Sequence, residues 1–421
     1  MSLPGPVITF QQAVAMAQSR RGELQDLLFR LVSVRSLSGE SAESAQNVVL
    51  DFLATLPYEV ELTADRPSDF SKHEEFMPPV PEGEGPFANV VARPRGQAGS
   101  NSAIFAHIDT HHVVDGWTSN PYQPAVRDGR LYGLGAADGK GGVAAMLIAS
   151  AALTASGGRA PLLICCHGKG GGSRGSLPVF ERLRQRQEPI HAIAYAHPAE
   201  TGKGLSHVKH VVRGVVDLTL TVTGWLGEPR EIGLPDSAPW SESGDALQTC
   251  LQAIEHLRGT VLKNYELNVG RLHAGERVGT VPLEAQAQLR LLFDDAVSWP
   301  VLVRHIDAEL QAFAQLRAAF AFSLEPGAMR SNFGSVAWDA PPSRTVRDAI
   351  EQIAGVAPRS YTNHYNGDIR FPLRLLGIPA FGIGSLGGNF YGPNEWVDVD
   401  DLVRLVAVLI LTTSRWNEGE V

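Results

Sequence analysis

Only three cysteines occur in 421 residues, and two of them, Cys165 and Cys166, are adjacent, so no disulfide framework can be built. Both sit in the apolar run PLLICC, which reads as a buried strand with cysteine as a small core hydrophobe. Long apolar runs are missing as well. The longest, residues 405–411, falls far short of the roughly 20 residues that a membrane-spanning helix needs. The first residues lack the basic-then-apolar pattern of a secretory signal, so a reducing cytoplasm is the expected location. Positive charge is in short supply too: 36 Lys and Arg stand against 45 Asp and Glu, a net charge of -9. That balance argues against nucleic acid or an anionic membrane surface as a partner. The basic runs that exist, such as RLRQR at 182–186, are short and read as the solvated face of a helix.

What is present describes an ordinary globular protein, 44% hydrophobic and 19% charged, long enough for two domains. Apolar residues at helical spacing run through residues 10–14, 24–32 and 43–56, and a Pro- and Glu-rich loop follows at 77–87. Strands and helices then alternate: strands at 89–93, 102–106, 161–166 and 192–195, helices at 141–156 and 176–187. Such alternation predicts a three-layer α/β domain. After Lys209 the pattern changes to strand, helix, two strands, helix, strand, the βαββαβ order of a ferredoxin-like sandwich. The fold class expected is therefore α/β: a catalytic domain formed by 1–209 and 329–421, split by an inserted α+β lid or dimerisation domain at 210–328.

The most informative segment is residues 105–150. It places His107 and Asp109 at a strand end and Asp138 at the start of a helix, after a Gly-rich turn. A ligating imidazole, a carboxylate two residues on to orient it, and a second carboxylate on a neighbouring loop make half of a zinc site. The wider text, HIDT, then Trp117 and Pro121, then DGRLYGLGAADGKGG from Asp128 to Gly142, resembles the zinc aminoacylase and carboxypeptidase family of acetylornithine deacetylase, succinyl-diaminopimelate desuccinylase and bacterial glutamate carboxypeptidase. Further echoes are Arg213-Gly214, Thr280-Val281-Pro282, Asp368-Ile369-Arg370 and GGNFYGPNEWV at 387–397, so the resemblance covers nearly the whole chain.

The resemblance implies a metal-dependent hydrolase of amide bonds in N-acyl amino acids or short peptides with a free carboxylate, dimeric through the inserted domain. It implies Zn²⁺ on His107, Asp138 and Glu200, with His197, three residues before Glu200, as a competing ligand. Asp109 would orient His107, and Arg370, Arg330 and Asn389 are candidate substrate-carboxylate partners. The chain also departs from the family. Where relatives carry a Glu-Glu pair stands His167-Gly168 or, counting back from Ser173-Arg174-Gly175, Lys169-Gly170, with no carboxylate either way; the late His ligand falls on Tyr391, and the lid segment from Gly224 to Glu228 has no His. Tyrosine, with a pKa near ~10, is a poor zinc ligand at neutral pH. One metal and a doubtful second site are thus expected, with His167 as general base because imidazole titrates in the useful range. Two readings stand: a mononuclear metallohydrolase, and a catalytically inactive relative acting as a small-molecule binder or scaffold.

Overall fold

A capping box opens the described chain: Thr9 accepts from the Gln12 N–H, and the Gln12 side chain accepts from the Thr9 N–H at 2.8 Å. It starts α1 (Phe10–Ser19); α2 (Arg21–Val32) and α3 (Glu43–Leu53) follow, burying Leu24, Leu28, Leu31 and Val49, Phe52 on one face each. The structure, a computed structural model, describes residues 8–37, 42–78, 87–96, 102–169, 175–224, 244–363 and 365–419. Strands β1 (Tyr58–Asp65), β2 (Phe87–Pro94) and β3 (Ser102–His107) come next, then the short β4 (Ala125–Arg127) and β5 (Arg130–Tyr132). Helix α4 (Lys140–Ala155) is apolar on all sides and is buried throughout from Lys140 to Leu153, as such a helix must be. The first half ends with β6 (Leu162–Cys166), α5 (Ser176–Gln185), β7 (Ala192–Ala196) and β8 (His207–Val212).

A second compact unit, residues 213–333, interrupts the first. It contains β9 (Gly214–Thr223), α6 (Ala246–Gly259), β10 (Glu266–Ala274), β11 (Glu284–Phe293), α7 (Trp299–Gln315) and β12 (Ala321–Ser331). Its antiparallel sheet has the order β10-β11-β9-β12, the ferredoxin-like arrangement. Alternate residues of β9 (Val216, Leu218, Leu220, Val222) and β11 (Ala285, Ala287, Leu289, Leu291) face α6 and α7 and form its core.

The first unit then resumes with β13 (Gly334–Ser335), α8 (Pro341–Ala354), β14 (Arg359–Asn363), β15 (Ala380–Ile383), β16 (Gly387–Gly388), β17 (Trp396–Asp398) and α9 (Val399–Asn417). Its main sheet runs β1-β2-β6-β3-β7-β15-β8-β13, with β14 beside β8. The central strands β6, β3, β7 and β15 are parallel and buried along their length. On β3, Ile104 and Ala106 pack into the layer of α1–α4, α8 and α9, whereas Ala103 and Phe105 pack into the opposite layer with α5. That alternation produces the three layers expected from the sequence. Among the described residues no helix is long and apolar enough to cross a membrane.

Candidate metal centre

Open parallel sheets expose their functional groups beyond the carboxyl ends of the strands, and three such ends lie side by side here. His107 is the last residue of β3 and pairs in register with Cys166, the last residue of β6; His197 follows directly on β7. Asp138 enters from the turn before α4. That turn can approach because residue 139 is glycine: a Cβ there would lie 2.6 Å from His107 Nε2. Gly142 serves the next turn similarly, since a Cβ would sit 1.8 Å from the Ala196 carbonyl oxygen. The turn is also held from a distant part of the chain. Glu395, buried, accepts the backbone N–H groups of Gly135 (2.7 Å), Ala137 (2.9 Å) and Asp138 (2.8 Å). Burial pushes its carboxyl up to about 8, against the pull of those donors.

His107, Asp138 and His197 form a buried group whose donor atoms all lie within 4.8 Å of one another, the single such group among the described residues. Each imidazole is set by its outer nitrogen. His107 Nδ1 lies 3.0 Å from the Asp109 carbonyl and His197 Nδ1 lies 2.8 Å from the Pro198 carbonyl. A carbonyl oxygen only accepts, so His107 Nδ1 donates and its Nε2 is turned to the cluster; His197 Nδ1 faces the Lys209 ammonium, at 2.7 Å, as well as the Pro198 carbonyl. Both Nε2 atoms lie close to Asp138 Oδ1, at 2.8 and 2.7 Å. Two imidazole nitrogens and a carboxylate oxygen at this range can share a proton or bind a metal cation. The other carboxylate oxygen, Asp138 Oδ2, is buried, and the Tyr391 phenol hydrogen-bonds to this carboxylate. Burial, and then the ammonium groups of Lys169 and Lys209, depress His197 to about 3, so it stays neutral, as a metal ligand must be. Two imidazoles whose outer nitrogens face carbonyls, together with a buried carboxylate, make a donor set that fits Zn²⁺.

In the structure the cation at these atoms is the Lys169 ammonium, 2.8 Å from Asp138 Oδ1 and 2.5 Å from His197 Nε2. Against the penalty of its burial, Lys169 and then His197 and His107 hold the Asp138 carboxyl well below the usual carboxylate range.

The other sequence expectations fall as follows. Glu200 is not part of the cluster; its Oε1 accepts from Lys209 Nζ at 2.7 Å, and the third member of the group is His197, which the sequence offered as the competing ligand. Asp109 meets His107 Nδ1 through its backbone carbonyl rather than the carboxylate expected, while its carboxylate accepts the Gly168 N–H at 3.1 Å. His167 is buried after β6, its backbone N–H donating to Asn89 Oδ1, and it is Lys169, two residues on, that reaches the cluster. Tyr391, in left-handed backbone, lies with its ring 4.3 Å from that of His111; desolvation and then the charges of Asp138 and Glu200 push its phenol up, keeping it neutral. Arg370 is fully buried with Nε 3.6 Å from Glu75 and its guanidinium over the Phe371 ring. Asn389 donates to the Asn394 carbonyl, and Arg330, in the inserted unit, lies over Trp299. His256 of that unit pairs with Glu309 and His273 is exposed, while residues 225–228 and His364 lie outside the described residues. Two contributors went unread in the sequence: the pinning role of Glu395 and the cationic role of Lys169.

The pattern of Peptidase family M20/M25/M40 matches residues 103–415, and the chain belongs to this family. By sequence it is similar to the succinyl-diaminopimelate desuccinylase of Zymomonas mobilis, 25% identical over 394 residues that cover 90% of this chain and 94% of the relative. The protein of the same name from Gluconacetobacter diazotrophicus is 28% identical over 346 residues, 78% of this chain and 85% of the relative. In fold it is similar to aminopeptidase PepT from Bacillus cereus, with a TM-score of 0.71 at 16% identity over 94% of this chain and 98% of that one. A tripeptidase from Staphylococcus aureus gives 0.69 at 15% identity, over 95% and 99%. Family and relatives place the chain among metal-dependent hydrolases of amide bonds.

Proposed function

We propose that this protein hydrolyses the amide bond of N-acyl amino acids or short peptides bearing a free carboxylate, with one Zn²⁺ held by His107, Asp138 and His197. The observation that carries the reading is the convergence of two carbonyl-steered Nε2 atoms on a buried carboxylate. Three protein ligands leave a fourth position for water or substrate, as catalytic zinc requires. Bound there, Zn²⁺ supplies Lewis acidity and lowers the pKa of water.

The remaining roles belong to the chain. The Asp109 carbonyl orients His107, the Pro198 carbonyl and Lys209 hold the His197 ring, and Glu395 fixes the height of the Asp138 turn. The Tyr391 phenol, neutral at pH 7, can donate a hydrogen bond to developing negative charge but is a poor second-site ligand. Proton transfer falls to an imidazole. His167 is the sequence candidate; His111 shares its surroundings with Asp138, Lys169 and His107, and burial lowers its pKa so that it is neutral and able to accept.

The test is turnover of a panel of N-acetyl and N-succinyl amino acids and dipeptides, with Zn²⁺, Co²⁺ or Mn²⁺ added and with a chelator. Metal-dependent hydrolysis that falls in either His111→Ala or His167→Ala supports the reading and assigns the base. Absence of hydrolysis with every metal would overturn it in favour of the second reading, a non-catalytic binder, which the ammonium of Lys169 at the ligand atoms favours.

A further inference from the structure

The Lys169 ammonium stands at hydrogen-bonding distance from two of the three ligand atoms, Asp138 Oδ1 and His197 Nε2. A metal bonded to both would fill the same space, because Zn²⁺ lies only about 2.0–2.2 Å from its nitrogen and oxygen ligands. We infer that Lys169 is an internal competitor for this centre, holding the converged ligands in the metal-free protein, and that a divalent cation binds only as Lys169 withdraws. The inference rests on the reading of His107, Asp138 and His197 as metal ligands.

Three features separate this lysine from a surface side chain that happens to reach a carboxylate. First, the ammonium meets two of the ligand atoms at once, an imidazole nitrogen as well as the carboxylate oxygen, so it occupies the cluster rather than its rim. Second, the backbone that delivers Lys169 is fixed. The His167 N–H donates to Asn89 Oδ1 at 2.9 Å and the Gly168 N–H to Asp109 Oδ1 at 3.1 Å. Asp109 therefore binds both sides of the competition: its carbonyl sets the metal ligand His107 and its carboxylate sets the segment carrying Lys169. Third, the other nearby ammonium is already matched. Lys209 is buried between Glu200 and His197 Nδ1, each at 2.7 Å, with Glu200 as its salt-bridge partner, and Asp138 is the counter-ion of Lys169.

Removing the charge should release the site. Equilibrium dialysis with Zn²⁺ and the visible absorption of bound Co²⁺ are measured on the full-length wild type, Lys169→Met and Lys169→Arg, with circular dichroism as the check on folding. The expected result is one metal per chain in Lys169→Met with affinity roughly 10–100-fold above wild type, the scale on which partners of metal ligands act, and no gain in Lys169→Arg. A second readout needs no substitution: acetylation of Lys169 by a soluble anhydride, followed by mass spectrometry, should rise when Zn²⁺ is added. Equal, stoichiometric binding by wild type and Lys169→Met, with Lys169 labelling unmoved by Zn²⁺, would overturn the inference and leave the metal reading standing. No binding by either protein would overturn the metal reading itself, and the inference with it.

Discussion

Replacing Glu395 by alanine removes the acceptor of three buried backbone N–H groups at once, those of Gly135, Ala137 and Asp138. An orphaned buried donor costs about 1–3 kcal/mol. The three share one turn and are not independent, so the expected loss is about 3–6 kcal/mol, with the lower end reached where water refills the space. Glu395→Gln should cost far less. The acceptor that serves Ala137 and Asp138 is a single oxygen, Oε1, which the amide can supply; only the Gly135 N–H then faces a donor, a loss of about 1–3 kcal/mol. Hydrogen exchange at residues 135–138, read by mass spectrometry beside chemical denaturation, separates the cases: fast exchange in the alanine variant, nearly native protection in the glutamine variant. The glutamine also removes a pH slope. Because the folded carboxyl titrates near about 8 and the unfolded one near 4.5, between these values the folded state holds a proton that the unfolded state has lost. Stability therefore falls as pH rises through this window, and Glu395→Gln should flatten that fall. Wild-type exchange rates in the alanine variant would refute the claim that the Asp138 turn is held from residue 395.

Three further outcomes follow from the same geometry. Asp138→Ala should abolish metal binding, read by elemental analysis, while circular dichroism remains native; neighbours Gly139, Lys140 and Gly141 offer no substitute ligand. Gly139→Ala should displace His107, whose Nε2 would stand 2.6 Å from the new Cβ, costing about 1–3 kcal/mol by overpacking and at least tenfold in metal affinity, both measurable by denaturation with and without Zn²⁺. Among the described residues β10 and β12 are the edge strands of the inserted unit's sheet, and such edges favour pairing across a twofold axis; sedimentation at micromolar concentration should show a dimer, and a monomer would count against it.

Much of this site was legible locally and the rest was not, for a physical reason. His107, Asp109 and Asp138 sit in one motif whose glycines announce close backbone approach, and the layers follow from periodicity alone. Glu395 lies 257 residues from Asp138, and no local pattern ties a carboxylate to three N–H groups across that span. Lys169 depends on the register of β3 with β6, which brings Cys166 opposite His107; the sequence displays only an altered Glu-Glu position. The choice between His197 and Glu200 is the most instructive. Both lie just beyond a buried strand, and spacing does not separate them. The deciding signal stands nine residues after Glu200, in HVKHVV, where Lys209 interrupts an apolar strand. A lysine buried in a sheet must be paired, and the nearest carboxylate preceding it is Glu200. Glu200 accepts from that ammonium at 2.7 Å, while His197 stands with His107 and Asp138 in the buried cluster, and on that geometry the proposal takes the histidine as third ligand.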